Sequence, residues 1–221
     1  GGVLSQVANP GAPLIYRPLP LILDMTTGVG LQGRAENALM AAAAVQVARK
    51  GWGIPTNMFG QVSDSLITDG QSMIERVFNT LLPALTGANI VSGAGGVEHC
   101  YTVDPVQLVI DDEIIGMTLR TLRGFEVNDD TLGVEALARI GPGGNFLTDK
   151  HTLKYHKAEY LRPQVLNRDG RAVWKSKGEK DLNERARERA RTILKKHKPT
   201  PLPDNVIKEF DSVTRKLEPG L

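Results

Sequence analysis

What most limits this chain is an alternation that runs as far as Arg123: a short apolar stretch, a polar exit bearing glycine or serine, then a helix. Residues 12–17 and 19–25 are apolar runs broken by Pro13, Pro18 and Pro20, and the second leaves through Asp24-Met25-Thr26-Thr27-Gly28. Alanine is the strongest helix former, so 35–50 is expected to be helical, with Leu39, Ala43 and Val47 on its inner face and Gly51 as its stop. Residues 55–61 are the next strand, leaving through Gln61-Val62-Ser63-Asp64-Ser65. Thr68 with Gln71 has the spacing of a capping box, opening a helix to about residue 85 with Ile74, Val77, Phe78 and Leu81 inward. Residues 89–92 end in Gly93-Ala94-Gly95-Gly96, and Asp104-Pro105 then starts a helix that continues to about Arg123. Asp130 is expected to cap a shorter helix ending before Gly141.

Strand, exit and helix in that order make βα units, because parallel strands need a crossover and a helix supplies it. The class is therefore α/β. Three to four units are present, whereas a closed eight-stranded barrel takes roughly 200 residues at least and ~250 typically, and the last third drops the alternation. The expected architecture is the C-terminal half of a (β/α)8 barrel plus a C-terminal helical extension, with 1–144 a partial barrel and 145–221 a wrapping segment and helices. From Gly141 onward, His151, Tyr155, His156, Arg162-Pro163 and Trp174 read as loop. A helix over 181–197 follows, with Leu182, Ala186, Ala190, Ile193 and Leu194 on one face, and a last one around 204–217 lies beyond Pro199, Pro201 and Pro203.

Composition narrows the classes of function. An apolar fraction of 41% with 24% charged residues is that of a globular chain, and a net charge of +2 gives no general field for nucleic acid. The local surplus of Lys and Arg between Lys175 and Lys198 reads as a solvated helix face. Cys100 is the sole cysteine, so no internal disulfide forms, and with no secretory leader in view the expected location is cytoplasmic, although the chain begins Gly1-Gly2 and not Met. No apolar run is long enough to cross a bilayer. Open strand edges on a partial barrel imply a homo-oligomer.

In parallel α/β sheets the reactive groups lie where strands end and loops begin. That rule selects Asp24 to Gly28, Gln61 to Asp64, and Gly93 to Tyr101. In the third patch Gly95 and Gly96 would let a bulky ligand approach the backbone, while Glu98 and His99 set a carboxylate beside an imidazole. The plainer alternatives are that these glycines only turn, that Asp24 and Asp64 cap helices, and that Glu98 and His99 point apart. The glycine spacing does not fit a dinucleotide fold, there is no phosphate loop, His99-Cys100 and the His151/His156 pair are poor starts for zinc, and no nucleophile elbow is present.

Several separated stretches resemble, in order, the trimethylamine methyltransferase family, which includes glycine betaine and other quaternary-amine methyltransferases. They are Gly11-Ala12-Pro13-Leu14-Ile15-Tyr16, Leu23-Asp24-Met25-Thr26-Thr27-Gly28, Ser63-Asp64-Ser65, Thr86-Gly87-Ala88-Asn89, Gly95-Gly96-Val97-Glu98, Asp111-Asp112-Glu113, Gly141-Pro142-Gly143-Gly144-Asn145-Phe146-Leu147 and His151-Thr152. The resemblance implies a barrel that passes a methyl group from an amine to the cobalt of a corrinoid held by a separate small protein. The archaeal enzymes carry pyrrolysine near what are here residues 60–63; this chain has ordinary residues there, so it resembles the non-pyrrolysine branch. Relatives often read Asp-Met-Arg-Thr-Gly and Gly-Ser-Pro-Glu where this chain has Asp24-Met25-Thr26-Thr27-Gly28 and Gly33-Arg34-Ala35-Glu36.

On that footing Glu98, His99 and Asp64 are the catalytic candidates, Asp24, Gln61, Phe59 and Tyr101 would bind a small amine substrate, and Gly95 and Gly96 would face the corrinoid, which a partner protein carries and this chain does not hold tightly. Reduced cobalt would be the nucleophile, so the protein's task is alignment, with aromatic faces for the cation. A betaine carboxylate would look to His99, with Arg17 or Arg34 next. The alternatives are a corrinoid-to-folate barrel, for which Asp24 and Asn57 are a thin match, and an inactive structural fragment that self-associates. The half-barrel alone is expected to show no turnover.

Overall fold

The structure, a computed structural model, describes residues 1–217. The chain divides into two compact units, Gly1–Ala190 and Arg191–Leu221. A short helix α1 (Gly2–Ala8) opens the first. Its organising element is a parallel pair, β3 (Asn57–Phe59) with β4 (Ile90–Ser92), in the register Asn57↔Ile90, Met58↔Val91 and Phe59↔Ser92. On the other side of β3 a parallel bridge joins Tyr16 to Thr56, with Asn57 N donating to Tyr16 O. A helix follows each of these segments: α2 (Ala35–Gln46, continued by a π turn over Val47–Gly51), α3 (Gly70–Leu85) and α4 (Pro105–Arg123). This is the α/β alternation expected from sequence, as an open sheet among the described residues.

The run at 19–25 departs from it. Pro18 and Pro20 have no N–H to give a ladder, so the stretch turns back on itself: β1 (Ile22–Leu23) pairs antiparallel with β2 (Gly30–Leu31).

Side-chain alternation along β3 separates two faces. Met58 is buried with Ala41 and Val45 of α2, and a Cβ on Gly60 would lie 2.3 Å from Asn79 O of α3, so this face packs on helices. Tyr16, edge-on to Trp52 at 5.5 Å, belongs to the same side. Arg17, Asn57, Phe59, Ile90 and Ser92 fall on the other face, which stays partly open.

The helices α2 and α3 are turned relative to the sequence expectation. On α2 the buried stripe is Ala38, Ala41, Ala42, Val45 and Ala48, while Leu39 is 63% exposed and Val47 is exposed. On α3 the buried residues are Ser72, Arg76, Asn79, Thr80, Pro83 and Ala84, while Ile74, Val77 and Phe78 are exposed. Small residues let α2 lie close to the sheet, and the polar stripe of α3 is buried because it has hydrogen-bonding work to do against the strand exits.

Caps also moved. Asp69, not Thr68, caps α3, accepting from Ser72 N at 2.9 Å, and Thr68 Oγ1 instead donates to Asp104, the cap of α4, at 2.7 Å. The Ser72 amide, then the Ser65 hydroxyl, hold the Asp69 carboxyl below the usual aspartate range. A depressed folded value means its stabilisation is present above the ordinary aspartate value and lost as pH falls through the lowered one. Asp69→Ala is expected to cost about 1 kcal/mol near neutrality, with the gap to the parent narrowing as pH drops into the acid range. Urea melts across pH check this; a deficit that persists undiminished in acid contradicts it.

Helix α4 begins as expected at Pro105, with Asp104 accepting from Val106 N. Asn128 and Thr131 form a capping box for α5 (Asp129–Leu132), displacing Asp130 from that role, and α6 (Val134–Ile140) ends at Gly141. The expected loop beyond it contains α7 (Lys150–Glu159), capped by Asp149, and α8 (Arg171–Ser176), so His151, Tyr155 and His156 are helical. Ile110 and Ile114 of α4 pack with Ala186 of α9 (Leu182–Lys196). In the second unit α10 (Asp204–Leu217) follows the prolines, with Phe210 and Leu217 exposed. Among the described residues no helix is long and apolar enough to cross a membrane.

Candidate functional site

One carboxylate gathers the strand exits. Asp64 Oδ1 accepts from Gln32 N at 2.8 Å and lies 2.8 Å from His99 Nδ1, and its Oδ2 accepts from Gly33 N at 2.8 Å. The segment after the β1–β2 hairpin (β2, Gly30–Leu31), the exit of β3 and the turn beyond β4 therefore meet at Asp64. Glu98 N donates to Ser65 O at 2.9 Å and His99 N to Ser63 O at 3.2 Å, so backbone as well as side chains ties the last two. Glu75 of α3 supports the junction, accepting from Ser63 Oγ at 2.7 Å and Asp64 N at 2.8 Å. Gly33 is needed here: a Cβ would sit 2.2 Å from Glu75 Oε2 and 3.0 Å from Asp64 N.

Because Asp64 already accepts two backbone N–H groups as a carboxylate, the His99 contact is a donation from Nδ1–H. The tautomer leaves Nε2 as the ring position able to accept a proton. Glu98, His99 and Cys100 all have left-handed backbone, with φ of 53°, 53° and 69°. Non-glycine residues adopt that region at a cost, so three in succession are held there by their surroundings. The Ser63 and Ser65 carbonyls, a bond from Thr102 Oγ1 to Glu98 Oε2 at 2.7 Å, and the antiparallel pair β5 (Gly96–Val97) and β6 (Thr102–Val103) supply the constraint.

Behind this turn lies a fully buried polar network. Arg76, 0% exposed, donates from Nη1 to Gln61 O and to Asp111 Oδ2, both at 2.8 Å, from Nη2 to Gly96 O, and from Nε to Ser72 Oγ at 3.0 Å. Asp111 also accepts from Gly95 N at 2.7 Å and Gln107 Nε2 at 2.8 Å. Burial pushes the Asp111 carboxyl up, and the Arg76 guanidinium opposes that shift. Burial likewise pushes the Cys100 thiol up, which keeps it neutral and a poor nucleophile.

The remaining sequence candidates are placed as follows. Asp24 is taken up by its own turn, accepting from Thr26 N and Thr27 N and pairing with Arg34 at 2.6 Å; those amides, then Arg34, hold its carboxyl low. Gly60 N and Gln61 N both donate to Ser92 O, a bulge that shifts the side-chain phase. Gln61 is consequently 0% exposed, its Nε2 bonded to Thr80 Oγ1 of α3 and its Oε1 without a partner among the described residues. Gly95 and Gly96 are packed, a Cβ on them meeting Leu108 at 3.3 Å and Cys100 Sγ at 2.7 Å. Phe59 lies on the open sheet face, where its ring would stand 3.0 Å from a Cβ on Gly93. Tyr101, 87% exposed, precedes Thr102, which with Leu66, Ile67, Val97 and Val103 lines a cavity of about 530 Å³. Glu75 and Arg76 were not singled out by sequence reasoning, and Asp111 entered it only within the stretch Asp111-Asp112-Glu113; for the first two the signal was the polar stripe at helical spacing along α3.

The sequence model of the family described as trimethylamine methyltransferase (MTTB) matches residues 1–219. The chain belongs to the trimethylamine methyltransferase family. It is 35% identical over 219 residues to the trimethylamine methyltransferase MttB of Methanosarcina barkeri, covering 99% of this chain and 44% of that one. It is 32% identical to the MttB of Desulfitobacterium hafniense (98% and 43% covered), and 34% identical to a glycine betaine methyltransferase of the same species over 200 residues, 90% of this chain and 41% of that protein. This member of the family thus spans less than half the length of the curated relatives it matches. Among the described residues, no group of three or more His, Cys, Asp or Glu is placed to hold a metal ion.

Proposed function

We propose that this chain is part of a methyltransferase that moves a methyl group from a quaternary or tertiary amine, of the betaine type, to the cobalt of a corrinoid carried by a partner protein, with the chain as one half of a (β/α)8 barrel. Family membership supports the methyl transfer, and the relatives' names support an amine donor. The observation that carries the site is Asp64 holding His99 at the junction of three strand exits.

The corrinoid supplies the nucleophilic metal, so no side chain has to. The rim suits a macrocycle presented by another protein, since Leu66, Ile67, Tyr101 and Val103 are exposed apolar side chains around the exits. The packed Gly95 and Gly96 would support that rim from below and not meet the macrocycle themselves. Phe59 offers the amine the ring face opposite the one over which Arg17 lies. A quaternary amine departs neutral and needs no acid; a tertiary amine must gain a proton at nitrogen as it leaves. His99, fixed by Asp64 through Nδ1, would give that proton from Nε2 after first taking one up there from solvent, and would return to the neutral Nδ1–H ring as the amine leaves.

The test follows corrinoid absorption with a reduced corrinoid protein and a panel of amines, with the chain alone and with the unmatched part of the Methanosarcina barkeri relative supplied as a separate polypeptide. Turnover is expected only in the complemented mixture. His99→Gln should lower transfer from a tertiary amine about 10²-fold and leave quaternary donors little changed. No absorption change with any amine, complemented or not, sinks the reading, and equal losses for both donor types remove His99 from proton handling.

A further inference from the structure

The open face of the sheet carries hydrogen-bond donors that the protein itself does not match. Arg17, Phe59 and Ser92 all lie at the carboxyl ends of their segments, the first because Pro18 stops its ladder for want of an N–H. The guanidinium carbon of Arg17 stands 5.4 Å from the centre of the Phe59 ring. A guanidinium held over a ring in this way keeps its N–H groups free for another acceptor.

No described carboxylate pairs with Arg17, and no described acceptor takes its N–H groups. Other arginines near the exits are committed: Arg34 to Asp24, and Arg76 to Asp111. His99 is committed to Asp64 through Nδ1. Beside Arg17, Asn57 Oδ1 accepts from Ser92 Oγ at 2.9 Å, which turns the Asn57 Nδ2 amide toward the same face without an acceptor among the described residues. The residues that alternation places on this face, Ile15, Arg17, Asn57, Phe59, Ile90 and Ser92, include no acid. A bare ammonium approaching them meets a like charge; a carboxylate meets a planar donor fork and an amide.

We propose that Arg17, seated on Phe59 and assisted by Asn57 Nδ2, is a specificity-determining residue that receives the carboxylate of the substrate, so that the amine is an onium carboxylate and not a bare amine or an onium alcohol. The proposal rests on the reading that this site takes amines.

Calorimetric titration of the 221-residue chain tests it with three probes: glycine betaine, choline, and 3,3-dimethylbutyrate, which keeps the carboxylate and bulk of betaine without the positive charge. The parent chain is expected to bind both carboxylates and to bind choline at least about tenfold more weakly. Arg17→Gln should weaken both carboxylates about tenfold or more, Arg17→Lys should fall between, because an ammonium cannot offer the two-pronged fork, and Arg17→Glu should reverse the order in favour of choline. Arg17 is exposed and makes no described hydrogen bond, so unchanged circular dichroism is expected for each variant. Choline binding as tightly as betaine, or carboxylate affinity unmoved by Arg17→Gln, overturns the proposal and leaves the amine reading standing. Failure of all three probes overturns both.

Discussion

Asp111→Ala is expected to lose about 3–5 kcal/mol of stability, measured as a shift in the urea midpoint at constant slope. The size follows from what remains: a fully buried Arg76 charge with its carboxylate gone, and a Gly95 amide with no acceptor. Arg76→Met should cost a similar amount for the mirror reason. Changing both together, Arg76→Met with Asp111→Leu, should be milder than either single change, since no unpaired charge is then left inside. The Gln61 and Gly96 carbonyls would lose their shared donor in that double variant, so some loss relative to the parent is still expected. A single variant within about 1 kcal/mol of the parent would mean that the pair is not sealed from water as the structure has it.

Asp64→Asn should loosen the site more than it weakens the fold. An asparagine offers one acceptor oxygen where the carboxylate satisfies Gln32 N, Gly33 N and His99 Nδ1, so an amide N–H would face an NH2 group. Hydrogen exchange at Gln32 and Gly33 is expected to accelerate on the order of 10²-fold, corresponding to roughly 2–3 kcal/mol of local stabilisation. Amides in the middle of α4, away from this junction, should change far less. Nitrogen-15 spectra of His99 should lose the fixed Nδ1–H tautomer and show both forms. Unchanged protection at Gln32 and Gly33 would show that the three exits are held together by something other than Asp64.

Legibility from sequence followed the range of the physics involved. Asp104-Pro105 announced the start of α4 because capping and a missing N–H act within a single turn, and the prolines ahead of α10 did the same. The exits bearing Asp64 and His99 were legible because strand ends recur after each apolar run, though the left-handed turn at Glu98 to Cys100 was not: those residue types do not prefer it, and it exists through bonds to Ser63 and Ser65. The facing of α2 and α3 could not be read from an apolar stripe alone. On α3 the side turned inward is the one whose Arg76 and Asn79 find carbonyls, and those carbonyls belong to loops far away in the chain. Gln61 was misjudged for a related reason, since two amides sharing Ser92 O shift the alternation by one residue.

By itself the sequence determined the βα order, the helix starts written in Asp, Asn, Pro and Gly, and the family signature, all of which depend on neighbours a few residues apart. Only the tertiary structure decided that Asp64 joins three loops, that Arg76 and Asp111 lie sealed beneath them, and that Arg17 rests on Phe59. Each of those contacts closes a loop of more than ten residues, and the direction of a side chain across such a gap is set by the packing of whole elements, which local preference does not encode.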